Sequence, residues 1–196
     1  MKIWRLWGDY NRYANFTSEP DFSLDEARMF DGRPMASEWK VRKLNSMDAN
    51  ILPVGDVVGF DSLFLVNDAV RQIFTNLGIT EIEYLRMDYK GTAYYLMNVL
   101  ETLDCLDREK SDALYSPTTK DRILFVKRYC FYEDRIGDKM IFRLKDEPLR
   151  MAFVNETVVS ALKKAGIKGF CYELVYDGVD DPRRKVSIDG VLSIEY

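Results

Sequence analysis

Histidine is absent from this chain of 196 residues. Its absence excludes Ser-His-Asp and Cys-His nucleophile pairs, histidine acid–base catalysis and every metal site ligated by histidine. Any catalytic chemistry would therefore have to use Asp, Glu, Lys, Tyr or Cys side chains. Neither the Walker phosphate loop nor the GxGxxG pattern occurs in the sequence. We therefore predict a protein that uses no cofactor and no metal ion.

Cysteine is scarce, and long apolar runs are missing. The chain has an odd number of cysteines, namely Cys105, Cys130 and Cys171, and their spacing fits neither a metal site nor a redox motif. This pattern is typical of reduced, buried thiols in a cytosolic protein. Arg5 and Asp9 interrupt the N-terminal stretch, which excludes a secretory signal, and no segment approaches the length of a membrane span. We expect a cytoplasmic protein that does not enter membranes.

The overall composition is that of an ordinary globular protein, with 47% hydrophobic and 31% charged residues. The length favours one domain, residues 1–196, with ample core. A net charge of -4 disfavours nucleic acid and favours a basic partner. The basic stretch 120–150 could in principle bind nucleic acid, but acidic residues interrupt it.

Two stretches of the chain align without a gap, one starting at Leu63 and the other at Met151. Each begins with a short apolar run, which is long enough for a strand, followed by an asparagine that can cap a helix. Apolar residues then recur at helical spacing up to a glycine, and a second extended run follows. We therefore predict two repeated strand–helix–strand units, at 63–91 and 151–178, with a tail at 179–196.

The rest of the chain favours strands separated by turns. Extended runs are predicted for Met1–Trp7, Glu38–Leu44 and Ile123–Phe131, with a hairpin turn around Gly137. Residues 8–27, 50–61 and 112–119 are predicted as loops, and 101–111 as a short helix or turn cluster. The prediction is an α+β fold, a single domain with a mixed, largely antiparallel sheet, and the sequence does not indicate whether the two units share one sheet.

Two groups of acidic residues are candidates for a metal-binding or catalytic site. Asp31 with Glu38 and Lys40 contains the residue types of a divalent-metal-dependent hydrolase. Glu101, Asp104 and Asp107 are three residues apart and would share one side of a helix. In both cases a solvated surface explains the residues better than a metal site, because short acidic motifs recur by chance. A carboxylate hydrolase is therefore kept as an alternative function.

A set of short phrases in a fixed order resembles a known bacterial family. The phrases are FDGRP at 30–34 with Trp39, LPVGD at 52–56, YYLMNV at 94–99, LDCLD at 103–107 with Ser111, and VN at 154–155 with AGIKGF at 165–170. They resemble a former domain of unknown function, now grouped as immunity family eleven of polymorphic toxin systems. The resemblance extends from Met1 to about Tyr176.

The resemblance implies a non-enzymatic immunity protein that binds and neutralises a cognate secreted toxin. It implies no catalytic residues. Aromatic residues and acids in the shared phrases are suited to a protein interface. The predicted partner-binding residues are Phe30, Asp31, Arg33, Trp39, Glu101, Asp104 and Asp107. An oligomeric scaffold or regulator with no toxin partner is the remaining alternative, and a homo-oligomer is compatible with either function.

Overall fold

A computed structural model of the chain describes residues 1–23, 26, 30–60, 63–119, 122–146 and 152–178, and the backbone of 187–188. Strands dominate this part of the chain, and three helices accompany them. The strands form a closed barrel, a six-stranded sheet and a separate two-stranded hairpin. The predicted α+β class therefore holds in a strand-rich form, and the structure places the strands in more than one sheet, a point that the sequence left open.

The barrel contains six strands and is closed in the order β2-β3-β6-β7-β5-β4. Their bounds are β2 (Asn15–Glu19), β3 (Arg42–Ser46), β4 (Val57–Phe60), β5 (Leu63–Val66), β6 (Ile82–Tyr89) and β7 (Thr92–Val99). The β2–β4 and β3–β6 pairs are parallel, and the other pairs are antiparallel. Closure gives each of these strands a paired neighbour on both sides and leaves no open sheet edge.

The six-stranded sheet has the order β14-β13-β1-β12-β11-β8. Its strands are β1 (Ile3–Gly8), β8 (Thr102–Leu103), β11 (Ile141–Leu144), β12 (Ala152–Asn155), β13 (Phe170–Tyr176) and β14 (Ser187–Ile188). Within this sheet, as far as the structure describes it, the β8–β11 pair is parallel and the other pairs are antiparallel. The two-stranded hairpin consists of β9 (Asp112–Tyr115) and β10 (Ile123–Arg128).

The two aligned stretches both fold as strand, helix and strand. The first contains β5, α1 (Asp68–Asn76) and β6, and the second contains β12, α3 (Glu156–Lys164) and β13. A short helix, α2 (Glu133–Ile136), lies between them in the chain. The side chain of Asn67 accepts from the amides of Ala69 and Val70, and that of Asn155 accepts from the amide of Val158. Whether the two units are copies of one repeat stays a prediction.

Each unit has a third strand between its own two strands. Strand β7 lies between β5 and β6 and is antiparallel to both, and β1 lies in the same way between β12 and β13. The two strands of a unit are thus parallel without being neighbours, which is the split strand–helix–strand arrangement. One unit belongs to the barrel and the other to the six-stranded sheet.

The main apolar core lies where the two units meet. Helices α1 and α3 contact each other, and their buried residues Val70, Phe74, Val158 and Leu162 belong to one cluster. Strands of the barrel and of the sheet complete that cluster with Val66, Met97, Trp4, Leu6 and Val154, among others. A second cluster fills the barrel, and a third involves the opposite face of the six-stranded sheet and the hairpin.

Several sequence predictions are corrected by the structure. Strand β3 begins at Arg42, because Trp39 and the residues before it are hydrogen-bonded to β6 and lie outside the barrel ladder. Strands β2, β4 and β9 were predicted as loops. The region 101–111 contains the two-residue strand β8 and a turn, and no helix is described there.

The predicted hairpin turn around Gly137 is also wrong. Residues Glu133 to Ile136 form α2, whose acidic first turn suits the positive end of a helix. Gly137 ends it with a φ of 59°, a conformation favoured by glycine. Strand β10 accordingly pairs with β9, while β11 pairs with β12. Of the tail at 179–196, only the backbone of β14 lies within the described residues.

The two asparagine caps predict unequal losses of stability. We expect Asn155→Ala to reduce the free energy of unfolding by about 1 kcal/mol, because one helix-opening amide loses its acceptor. Asn67→Ala should cost more, because Asn67 caps two amides and also donates to Asp56. Urea unfolding measures both values, with the exposed Asn45→Ala as control. Equal losses in all three variants would contradict the assignment of these caps.

Candidate functional site

Residues 30–39 form a strap that packs over the end of the barrel at which β6 begins. Two cross-strand neighbours, Glu83 on β6 and Asn98 on β7, hold the middle of this strap. The Glu83 carboxylate accepts from the amides of Met35 (2.7 Å) and Ala36 (2.8 Å). The Asn98 side-chain amide donates to the Arg33 carbonyl (2.7 Å) and to Glu83 (3.1 Å). The strap is therefore fixed by a polar pair of the barrel, the buried Asn98 and the partly buried Glu83.

The beginning of the strap joins the barrel to the six-stranded sheet. Phe30 is 1% exposed and belongs to the barrel cluster, and its carbonyl accepts from the guanidinium of Arg143 on β11. Burial lowers the pKa of Arg143 to about 10, so it is still cationic at neutral pH. Gly32 has a φ of 95°, and a Cβ there would lie 2.8 Å from Oγ1 of Thr102. The strap thus passes closely beside the start of the 101–107 segment.

A groove of about 180 Å³ lies beside the end of the strap. Its lining combines apolar and charged side chains, namely Phe22, Glu26, Phe30, Met35, Glu38, Trp39, Lys40 and Arg42. The Arg42 guanidinium lies 5.5 Å from the Phe22 ring centre and 5.7 Å from that of Trp39. The indole nitrogen of Trp39 donates to the Arg86 carbonyl at 2.9 Å. Trp39 therefore has a fixed ring at the wall of an open groove.

Two charged groups of the groove form an ion pair. Arg42 is ion-paired with Glu26, and the hydrogen bond from Arg42 holds the pKa of that carboxyl below its usual value. The Glu26 carboxyl is consequently ionised at neutral pH. The rings of Trp39 and Phe22 lie beside the Arg42–Glu26 ion pair. This combination suits a ligand side chain that is apolar and has a polar end.

The first four predicted partner residues all belong to the strap. Asp31 and Arg33 are exposed and lie 3.9 Å apart, measured from Oδ1 to Nε. Trp39 is partly exposed, whereas Phe30 is buried in the barrel. The strap therefore brings these four residues together, with three of them accessible to a partner.

The three predicted acids of the 101–107 segment do not share a face. Glu101 is ion-paired with Lys139 (2.6 Å), and the exposed Asp104 with Lys145 (3.1 Å). Asp107 is buried.

The buried Asp107 shapes a turn. Its carboxylate accepts from the amides of Glu109 and Lys110. The Ser111 hydroxyl hydrogen-bonds the backbone of Cys130. The phrase LDCLD with Ser111 is therefore explained by this turn and by its hydrogen bonds to Cys130, which follows β10.

Neither acidic grouping forms a candidate metal site among the residues that the structure describes. Within the described residues, no three His, Cys, Asp or Glu side chains are placed to hold a metal ion, and Asp31, Glu38 and Lys40 form no such cluster. Cys105, Cys130 and Cys171 are buried and form no disulfide with one another. No helix in the described part of the chain is long and apolar enough to cross a membrane.

Sequence reasoning missed both Glu83 and the surface of the β9–β10 hairpin. Glu83 lies 48 residues from Met35 in the chain, so no local pattern could indicate their contact. The hairpin exposes Leu114, Leu124 and Phe125. The apolar and aromatic run Ala113 to Tyr115 could have indicated β9, but the neighbouring turn residues favoured a loop.

Comparison with protein-family models identifies a family that this chain matches. The family model described as Immunity protein family (Imm11) matches residues 15–177. The matched range contains the barrel, the strap, the groove, the hairpin and both strand–helix–strand units. No curated protein matches the chain.

Removing the Glu83 carboxylate should release the strap. We expect Glu83→Ala to lower the free energy of unfolding by about 2–3 kcal/mol, because two backbone amides and Asn98 lose a charged acceptor. Hydrogen exchange should show the Met35 and Ala36 amides exchanging faster than in the native protein. Glu38→Ala, at a solvent-exposed position, is the control. Unchanged exchange at both amides would show that Glu83 does not hold the strap.

The groove ion pair predicts a defined titration. The pKa of Glu26 should lie below its usual value of 4.5, and Arg42→Gln should raise it because the carboxylate loses its main hydrogen bond. Since the folded-state pKa is depressed, the pair stabilises the fold above about pH 4.5 and loses this effect as pH falls through the folded pKa. NMR titration of the Glu26 side chain measures both values. Lys40→Gln is the control, and an equal shift in that variant would contradict a specific pair.

Proposed function

The chain belongs to the Imm11 immunity protein family, and from that premise we propose that it binds and neutralises a cognate secreted bacterial toxin. It does so in the cytoplasm, as one component of a polymorphic toxin system, and catalyses no reaction. The single observation that carries this proposal is the family match over residues 15–177. The groove and strap supply a surface on which such binding can occur.

The proposed contact is insertion of one apolar side chain of the toxin into the groove. A volume of about 180 Å³ suits a single aromatic or large aliphatic side chain. Trp39 and Phe22 would contact its apolar part, and the Arg42–Glu26 pair would face its polar end. Tryptophan and arginine are the residue types most often found at binding hot spots.

The strap is well suited to recognition because it is held in place before a partner arrives. Glu83, Asn98 and the Arg86 carbonyl fix its backbone and the Trp39 ring. A preformed surface loses less conformational entropy on binding than a flexible one. We therefore propose that the strap contacts the toxin with little rearrangement.

The other predicted partner residues divide into two roles. We assign direct contact to Asp31, Arg33 and Asp104, which are exposed and form a polar rim. Phe30 and Asp107 are buried and would position the backbone of the surface. Glu101 is partly buried beside Lys139 and would act in the same way.

The structural unit of this activity is the whole chain, which we propose to be one domain over residues 1–196. The main core draws side chains from the barrel, from the six-stranded sheet and from both long helices. We further propose that the units at 63–91 and 151–178 are two copies of one repeat. The matching asparagine caps and the inserted third strand in each unit support that proposal.

Co-expression tests the proposal directly. The chain would be expressed with the C-terminal domain of the protein encoded beside it, and host survival and size-exclusion behaviour would be scored. Rescue with a stable complex is the expected result. Rescue without a complex would indicate an enzyme that reverses the damage. Absence of both rescue and complex would contradict an immunity function.

A single substitution tests the groove. We expect Trp39→Ala to weaken toxin binding by about 2 kcal/mol, or about 30-fold in Kd, because the groove loses its aromatic wall. Calorimetry against a catalytically inactive toxin domain measures the change. Ile51→Ala is the matched control, because Ile51 is a highly exposed apolar residue outside the groove. Equal Kd values for both variants and the native protein would place the interface elsewhere.

A further inference from the structure

The β9–β10 hairpin has two faces with different environments. Ile123 and Val126 are buried and join the third apolar cluster, which includes Phe142 and Phe153 of the six-stranded sheet. The hairpin pairs with neither the barrel nor the six-stranded sheet through its described strands. Packing of its inner face therefore holds it in place, since an isolated two-stranded hairpin is marginally stable.

The outer face presents a group of apolar side chains to solvent. Leu114 is 55% exposed, Leu124 51% and Phe125 38%. Leu114 and Phe125 are cross-strand partners in the hairpin. A register shift between Ile123 and Phe125 interrupts the usual alternation, so two consecutive apolar residues of β10 point outward. The bulge therefore enlarges the exposed apolar surface.

The exposed side chains lie on the face opposite to the one that packs on the rest of the protein. The buried inner residues already supply the apolar contacts that anchor it. Clustered apolar side chains on the outside of a folded protein are typical of interaction sites, whereas single ones are common everywhere.

The charges around this face are mainly positive. Arg122 and Lys127 are exposed, and neither is ion-paired with any residue that the structure describes. Asp112 is the exposed acid on β9. The whole chain carries a net charge of -4, so this face is locally basic on an acidic protein. It is complementary to a partner surface with apolar side chains among carboxylates.

We infer that the outer face of this hairpin binds an acidic, apolar surface of the toxin, in addition to the contact at the groove. The inference rests on the proposed function. A second copy of the chain is a poorer occupant, because a two-fold contact through this face would bring Arg122 and Lys127 toward the same residues of the partner. An acidic toxin surface satisfies both the apolar patch and the cations.

Two double variants of the full chain test the inference by calorimetry against a catalytically inactive toxin domain. Leu124→Ser with Phe125→Ser removes the apolar patch, and we expect Kd to rise about 30-fold. Arg122→Glu with Lys127→Glu reverses the charge, and we expect Kd to rise at least about 10-fold with a weaker dependence on salt between about 50 and 300 mM.

Matched controls use exposed residues outside the hairpin. Met47→Ser with Ile51→Ser removes two highly exposed apolar side chains, and Lys43→Glu reverses an exposed charge on β3. Both controls should bind the toxin within about threefold of the native protein, as surface changes outside an interface usually do. Urea unfolding of each variant confirms that the fold is retained.

The outcomes separate the inference from the proposed function. Native binding that neither hairpin variant weakens overturns the inference and leaves the proposed function intact. Absence of binding by the native chain overturns both. Self-association of the native chain that Leu124→Ser with Phe125→Ser abolishes, with toxin affinity unchanged, assigns the face to a second copy and overturns the inference.

Discussion

The shared core of the two long helices is the constraint on which the rest of the fold depends. Helices α1 and α3 have nine residues each, which is too short for stable helices in isolation. Each is stabilised because its apolar face packs in one cluster with the other helix, with barrel strands and with sheet strands. Neither strand–helix–strand unit can bury that face alone. The barrel and the six-stranded sheet are therefore joined by the same apolar contacts that form the helices.

Strand β1 completes the second strand–helix–strand unit. Strand β1 lies between β12 and β13, so the second unit is complete only when residues from opposite parts of the chain meet. A buried ion pair between Arg5 and Glu173 lies in the middle of this contact, and Arg5 also donates to the Tyr129 hydroxyl and lies over the Trp7 ring. Burial raises the pKa of Glu173, which Arg5 opposes. These partners favour one register of β1, because a one-residue shift would leave a buried charge unpaired.

The proposed binding surfaces depend on that rigid frame. The strap is held by side chains of the barrel hairpin β6–β7 at one end of the barrel, and its first residue is held by β11 of the sheet. The β9–β10 hairpin packs on the rest of the protein through its inner face and presents its outer face to solvent. The two surfaces differ in charge, with a mixed polar rim around the groove and exposed cations on the hairpin. Two chemically different contacts would give an inhibitor more specificity than one.

The sequence by itself determined the local elements whose signals lie within a few residues. The asparagine caps, the helix-ending glycines and the apolar spacing located both strand–helix–strand units, and the ordered phrases located the family. Only the tertiary structure decided that these units belong to two different sheets, that Phe30 is a core residue, and that Glu83 holds a strap 48 residues away in the chain. It also decided that 101–111 holds a short strand and a turn, in which the Asp107 carboxylate accepts from the amides of Glu109 and Lys110. Strand pairing and long-range hydrogen bonds depend on which surfaces meet after folding, and local residue patterns do not specify that choice.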